Sequence, residues 1–303
     1  MNHSELYWKY ENVYPFEIEE ISKEPFRDFF ANINQISETK SIAFYDNFGT
    51  LCADSGIDNF ILPFVGANYN KTDGSVPKVL LVAESKYADI SRQAEQYREA
   101  GRAFFNWVLN FMINGINTRP TGEVKHFVNE YRYTIFNQEP IVSYIKVRAA
   151  AIEGYDKMRY RDYRGWPFPF LIRAMNDVYG YEGDKKKAEL NRLKQIAFVN
   201  YYQIPFIVES NNNGFTYQKF TSLVDDKVCT WKRYCRACEE LLDAIIDILQ
   251  PDIIIFASKN GISNYEGQNK DRIATIHHPA SWFLKNEYND REKLKEILKF
   301  YNK

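Results

Sequence analysis

Lys78-Val79-Leu80-Leu81-Val82-Ala83-Glu84 decides the fold. The apolar run from Val79 to Ala83 has strand length and no polar alternation. A strand buried on both faces, as in a parallel sheet, requires that pattern. It recurs at Ile196-Ala197-Phe198-Val199-Asn200 and at Ile253-Ile254-Ile255-Phe256-Ala257, with a shorter form at Ile273-Ala274-Thr275-Ile276. Helical patterns lie between these runs. Residues 89–116 carry RAFFNWVLNFMINGI, 184–195 form a polar helix, and EELLDAIIDILQ (239–250) holds its apolar residues to one face until Pro251-Asp252 stops it. Residues 17–50 read as helical with an interruption at Pro25, and Gly66-Ala67-Asn68 and Asp73-Gly74 read as loops. Strands alternating with helices predict a three-layer α/β/α architecture around a central, mostly parallel sheet. We expect one domain over residues 1–303, with residues 1–60 as a helical N-terminal extension packed on it.

Composition bounds the partners. The 303 residues are 45% hydrophobic and 26% charged, enough to bury a core and unlike a disordered chain. Lys plus Arg total 39 against 40 Asp plus Glu, so no global positive field draws this chain to nucleic acid. A polyanion must be met by a local basic patch. Aromatic residues reach 16%, with 22 Tyr and 22 Phe, which favours flat surfaces that stack or line a pocket. No run approaches a membrane span, and the charged N-terminus lacks the apolar core of a secretory signal. Four Cys in this length do not make a disulfide framework, so a reducing cytoplasm is the expected compartment.

In parallel sheets, functional residues sit just beyond the carboxyl ends of the strands. The first long strand delivers Glu84-Ser85-Lys86-Tyr87, the second Asn200-Tyr201-Tyr202-Gln203, the third Ser258-Lys259-Asn260-Gly261, and the last His277-His278-Pro279-Ala280-Ser281. One carboxylate, one amide and one or two imidazoles thus converge on one sheet edge, a plausible acid/base and base-reading set. Each also has a plainer role: Glu84 as a helix cap, Asn200 as a turn residue.

The order of these motifs resembles the uracil-DNA glycosylase superfamily. Ala83-Glu84-Ser85-Lys86-Tyr87 stands where that superfamily has its first motif. Ala197-Phe198-Val199-Asn200 stands for its base-reading strand, and His278-Pro279-Ala280-Ser281 for its His-Pro-Ser motif. The resemblance spans roughly residues 60–290. Departures are Ala83 for Gly, Lys86 for Pro and Ala280 for Ser, and they put uracil itself in doubt.

The resemblance implies a cofactor-independent DNA glycosylase. Glu84 would stabilise the oxocarbenium-like sugar or orient a water, and His278 would stabilise charge on the departing base. Asn200 offers a donor and an acceptor to a pyrimidine edge. The target base must leave the stack. Trp282 or Phe283 is then the wedge that fills the gap, with core packing as the alternative. Phe104 or Phe105 is the ring on which the base stacks, again with core packing as the alternative. Tyr69, Tyr87, Tyr201 and Tyr202 flank the proposed pocket. Within the superfamily, bacterial anti-phage glycosylases remove bulky, glucosylated hydroxymethylcytosine from phage DNA, and the length and aromatic content fit a roomy pocket of that kind. Uracil repair and a catalytically silent DNA-binding relative stay open.

Lys157, Arg159, Arg161 and Arg164 are interleaved with Tyr155, Tyr160, Tyr163 and Trp166, a pattern suited to phosphate contacts plus stacking. With Lys259 and Ser281 they complete the expected DNA-binding set. Cys229 with Cys235-x2-Cys238 is a partial metal-like cluster whose fourth ligand, Cys52, is far in sequence, and the plainer reading places Cys235 and Cys238 at i and i+3 near a helix start. We therefore expect DNA as partner and no metal or organic cofactor. No membrane and no protein partner is implied. No Gly-x-Ser-x-Gly, Gly-x-Gly-x-x-Gly or phosphate loop supports an unrelated hydrolase or nucleotide binder.

Overall fold

The computed structural model describes residues 63–66, 68–70, 74–89, 95–114, 121–130, 167–208, 229–258, 262–277 and 287–301. The strands are β1 (Phe64–Val65), β2 (Val79–Asp89), β3 (Ile196–Val208), β4 (Ile253–Phe256) and β5 (Ile273–Thr275). The helices are α1 (Glu95–Asn114), α2 (Gly122–Glu130), α3 (Pro167–Tyr179), α4 (Lys185–Leu193), α5 (Trp231–Leu249) and α6 (Glu287–Phe300). One sheet runs in the order β1-β3-β2-β4-β5. Strands β3, β2, β4 and β5 are mutually parallel, and β1 is antiparallel on β3. The protein is an α/β protein with a mixed sheet.

Strand alternation splits the buried residues into two cores. Leu80, Val82, Ala197, Val199, Ile254 and Phe256 face α1 and α5, where they meet Phe104, Val108, Leu241 and Ile245. Val79, Leu81, Ile196, Phe198, Ile253 and Ile255 face the other way, toward Leu171 and Met175 of α3 and Leu294 and Leu298 of α6. Cover on both faces is why these strands read as unbroken apolar runs.

Helix ends follow their local chemistry. Thr230 Oγ1 caps α5 by accepting the Arg233 N–H at 3.3 Å. Gln250, at φ 45°, turns the chain into the left-handed region ahead of Pro251 and ends the helix. Asp184 Oδ1 accepts from the Lys186 and Lys187 N–H groups at 2.9 and 3.2 Å and opens α4.

Several boundaries differ from the sequence expectation. The first long strand does not stop at Ala83. It pairs with β3 as far as Asp89, opposite Val208, where a helix was expected to start, and the helix is described over Glu95–Asn114. A register shift lies between Ser85 and Tyr87, where β3 passes from Tyr202 to Phe206. Pro205, which has no N–H to give a ladder, lies inside that irregularity. Pro167 opens α3 directly after the basic-aromatic run, because proline suits a first helical turn. The expected N-terminal helical extension and the basic-aromatic run from Tyr155 to Trp166 lie outside the described residues.

Candidate functional site

Strand order locates the site. From β2 the chain moves to β3 on one side, then crosses to β4 on the other side, and continues outward to β5. The order therefore reverses between β2 and β4. In open α/β sheets the crevice beyond the carboxyl ends of such a strand pair receives ligands.

Glu84 and Ser258 meet there. Val82 pairs with Phe256, and the Ala257 N–H continues the ladder to Val82 O at 2.7 Å. That register sets Glu84 and Ser258 on one rung. Ser258 Oγ donates to Glu84 Oε2 at 2.6 Å, and the two residues are 1% and 8% exposed. A short bond to a carboxylate in a buried setting is strong. It commits Oε2 and fixes the direction of Oε1.

Asn200 is adjacent but differently directed. Its register partner is Ala83, one rung below Glu84, and Ala83 belongs to the core under α3 and α6. The pleat thus gives Asn200 and Glu84 opposite faces of the sheet. The structure brings Glu84 to Ser258 and does not bring the Asn200 amide to the same face.

Tyr201 and Tyr202 are struts. Tyr201 donates from its hydroxyl to Asn264 O at 3.2 Å, and Asn264 Nδ2 donates to the Tyr202 hydroxyl at 2.9 Å. One asparagine in the segment after β4 thereby pins that segment to β3, on the far side of β2. The Tyr201 ring packs edge-on against Phe256 and Tyr265, and Tyr202 lies parallel to Tyr234 at 6.0 Å. Burial raises both phenols far above the usual range, with nearby Cys235 and Cys238 adding to the effect. Tyr201, expected to flank the base pocket, is fully enclosed and spends its hydroxyl on a backbone carbonyl.

Three more expectations change. Phe104 and Phe105 are both 0% exposed, and Phe104 packs on Trp107 and Phe127, so these rings belong to the core rather than to a stacking surface. Tyr69 does not flank the site. The Asn68 N–H donates to Lys194 O, just ahead of β3, and the Asp252 carboxylate at the foot of β4 helps raise the Tyr69 phenol after burial. Tyr69 therefore stands at the amino ends of the strands. Tyr87 is part of β2 as backbone. His278, Lys259, Ser281, Trp282, Phe283, Lys157, Arg159, Arg161 and Arg164 lie outside the described residues.

Cys229, Cys235 and Cys238 are buried and form no disulfide among the described residues. Burial pushes the Cys229 thiol up to about 11 and that of Cys235 higher still, and metal binding needs the thiolate. Among the described residues, no three His, Cys, Asp or Glu side chains gather in a way that would hold a metal. None of the described helices is long and apolar enough to cross a membrane.

The fold and site define an α/β protein with a buried carboxylate at its topological switch point. Comparison with protein-family models, with curated proteins and with solved structures gives no match. Sequence reading had named Glu84 and the Ser258 segment. It missed Asn264, whose importance follows only from where β4 lies relative to β3.

Proposed function

We propose that this protein is a monofunctional DNA glycosylase of the uracil-DNA glycosylase type, acting on an extruded, modified pyrimidine. The observation that carries the reading is the Glu84–Ser258 pair at the switch point of the sheet. A carboxylate there, oriented by a hydroxyl, suits a reaction in which positive charge grows on a sugar ring. As the C1′–N bond breaks, its electron pair passes to the base and C1′ gains oxocarbenium character. Glu84 Oε1 stabilises that cation or orients the water that attacks C1′. The water hydroxyl ends on C1′ and its proton goes with the free base, leaving an abasic site. His278 supplies the donor to the departing base, in line with the motif resemblance. No step calls for a metal or an organic cofactor.

For the base we propose bulky glucosylated hydroxymethylcytosine of phage DNA, which makes the protein a cytoplasmic anti-phage enzyme. The test uses three duplexes: plain, uracil-containing and glucosylated. Each is incubated with the full chain and treated with alkali to cleave abasic sites. Strand breaks confined to the glucosylated DNA are expected. Breaks in the uracil duplex alone would assign a repair enzyme, and breaks in none would remove the glycosylase reading.

A further inference from the structure

The carboxyl edge of the sheet carries a second carboxylate that the reaction above does not use. Phe256 pairs with Thr275, and the Ile276 N–H donates to Phe256 O at 3.0 Å, so the β4–β5 ladder continues past the end of β5. That register brings His277 to the rung of Ser258 and Glu84. Two strand spacings separate the Glu84 and His277 backbones, about 10 Å. Asp290, in the first turns of α6, is 6% exposed. Its Oδ2 accepts the His277 backbone N–H at 3.0 Å and lies 3.2 Å from His277 Nδ1. One carboxylate oxygen therefore fixes both the chain path and the ring plane of His277. A proton on Nδ1 faces Asp290, which sets Nε2 as the nitrogen directed elsewhere. The imidazole is half-exposed although its partner is buried. A latch meant only to hold α6 would need the backbone bond alone.

We propose that Asp290 is a positioning residue, which holds the His277 backbone and ring at the carboxyl edge of the sheet, and with them the point from which the chain continues to His278. The inference rests on the glycosylase reading. A carboxylate that orients an imidazole from behind recurs in hydrolase triads and behind metal-ligating histidines, where its loss costs roughly 10–100-fold or more. The bond acts through acceptance at one oxygen, and an amide oxygen preserves that acceptance.

The test compares wild-type, D290A and D290N full-length proteins on the DNA that the wild type cleaves, under single-turnover conditions. Thermal melting is followed in parallel. D290A is expected to lower the rate constant by roughly 10–100-fold with little change in the DNA concentration needed for half-saturation, and D290N to restore most of it. In ¹⁵N-labelled protein the His277 imidazole should show a Nδ1-protonated ring in the wild type and in D290N, and lose that signature in D290A. Equal single-turnover rates for wild type and D290A, with only the melting temperature lowered, would overturn the proposal and leave the glycosylase reading standing. A wild type that cleaves none of the three duplexes would remove both.

Discussion

Ser258 and Glu84 are 174 positions apart in the chain and joined by a 2.6 Å hydrogen bond at the point where the strand order reverses. The bond separates two properties of Glu84, its charge and its orientation, and each has its own substitution. Glu84→Gln keeps an oxygen that accepts from Ser258 while removing the charge. Abasic-site formation should fall by at least about 100-fold with DNA binding retained, as a gel-shift assay beside the alkali assay will show. Ser258→Ala keeps the charge and strips its buried donor, which costs about 1–3 kcal/mol in stability and misdirects Oε1. Ser258→Thr, with its hydroxyl intact, should recover most of the lost rate. A glutamine variant as active as wild type would refute the role of the Glu84 charge.

Gly66 tests the sheet edge. A Cβ at this position would stand 2.4 Å from both the carbonyl carbon and oxygen of Lys194 and 2.6 Å from Leu193 O. The neighbouring atoms are backbone and cannot rotate away. The Gly66 N–H meanwhile donates to Ile196 O at 2.9 Å, which ties β1 to β3. Gly66→Ala should lower stability by about 2–4 kcal/mol, read as a fall in the urea midpoint. A melting curve identical to wild type would show that the close approach is not maintained in solution.

Cys229 tests the interior. Its thiol is pushed from near 9 up to about 11, first by burial, against the opposing influence of Arg233 and a hydrogen bond from the Tyr234 backbone. The folded state thus holds the proton more tightly than the unfolded chain. The resulting contribution to stability is fully present below pH 9 and is lost as pH rises toward 11. Cys229→Ala should flatten that part of the stability–pH curve. At pH 8 in a C52S background, alkylation of Cys229, Cys235 and Cys238 should be slow until denaturant is added. Rapid labelling of Cys229 in the native protein, read by peptide mass spectrometry, would contradict this.

The legible and illegible parts of the fold divide along a physical line. The runs at Val79–Ala83, Ile196–Val199 and Ile253–Phe256 were readable because burial on two faces leaves a continuous apolar signature. The end of α5 was readable because Pro251 follows it. The extensions of β2 to Asp89 and of β3 to Val208 were not, since Ser85, Lys86, Gln203 and Pro205 carry no strand signature. There, tertiary pairing overrides local propensity. In α6, Asp290, Leu294 and Leu298 form a narrow buried stripe, with Ile297 packed beside it, in a helix rich in charged residues, too thin for composition to reveal. At the site, Glu84 was readable as the first charged residue after the apolar run Val79–Ala83, although β2 itself continues past it to Asp89. The opposite facing of Asn200 depended on a one-residue register that no sequence pattern fixes.

Asp243 holds the segment that follows the site, and it supplies the sharpest stability test. Lying on α5 and 5% exposed, it accepts hydrogen bonds from the Tyr265 hydroxyl, from Asn269 Nδ2 at 2.9 Å and from the Gln268 N–H at 3.4 Å. Asn269 Oδ1 in turn accepts from Arg272 Nη1 at 2.8 Å, and Arg272 Nη2 donates to Pro251 O at 3.1 Å. One carboxylate thus locks the turn leading into β5, the strand that brings His277 to the site. Asp243→Ala strands these donors in a dry interior and should cost about 3–5 kcal/mol. Tyr265→Phe removes both the bond its hydroxyl accepts from the Asn269 N–H at 3.3 Å and the bond it donates to Asp243, while leaving the ring in place against Gly267, and should cost about 1–3 kcal/mol. Because Tyr265 and Asp243 share the second of these bonds, the two changes should be non-additive in a double-mutant cycle by about 1 kcal/mol or more. Strict additivity, measured by urea unfolding of the four proteins, would mean that the turn is held by packing alone.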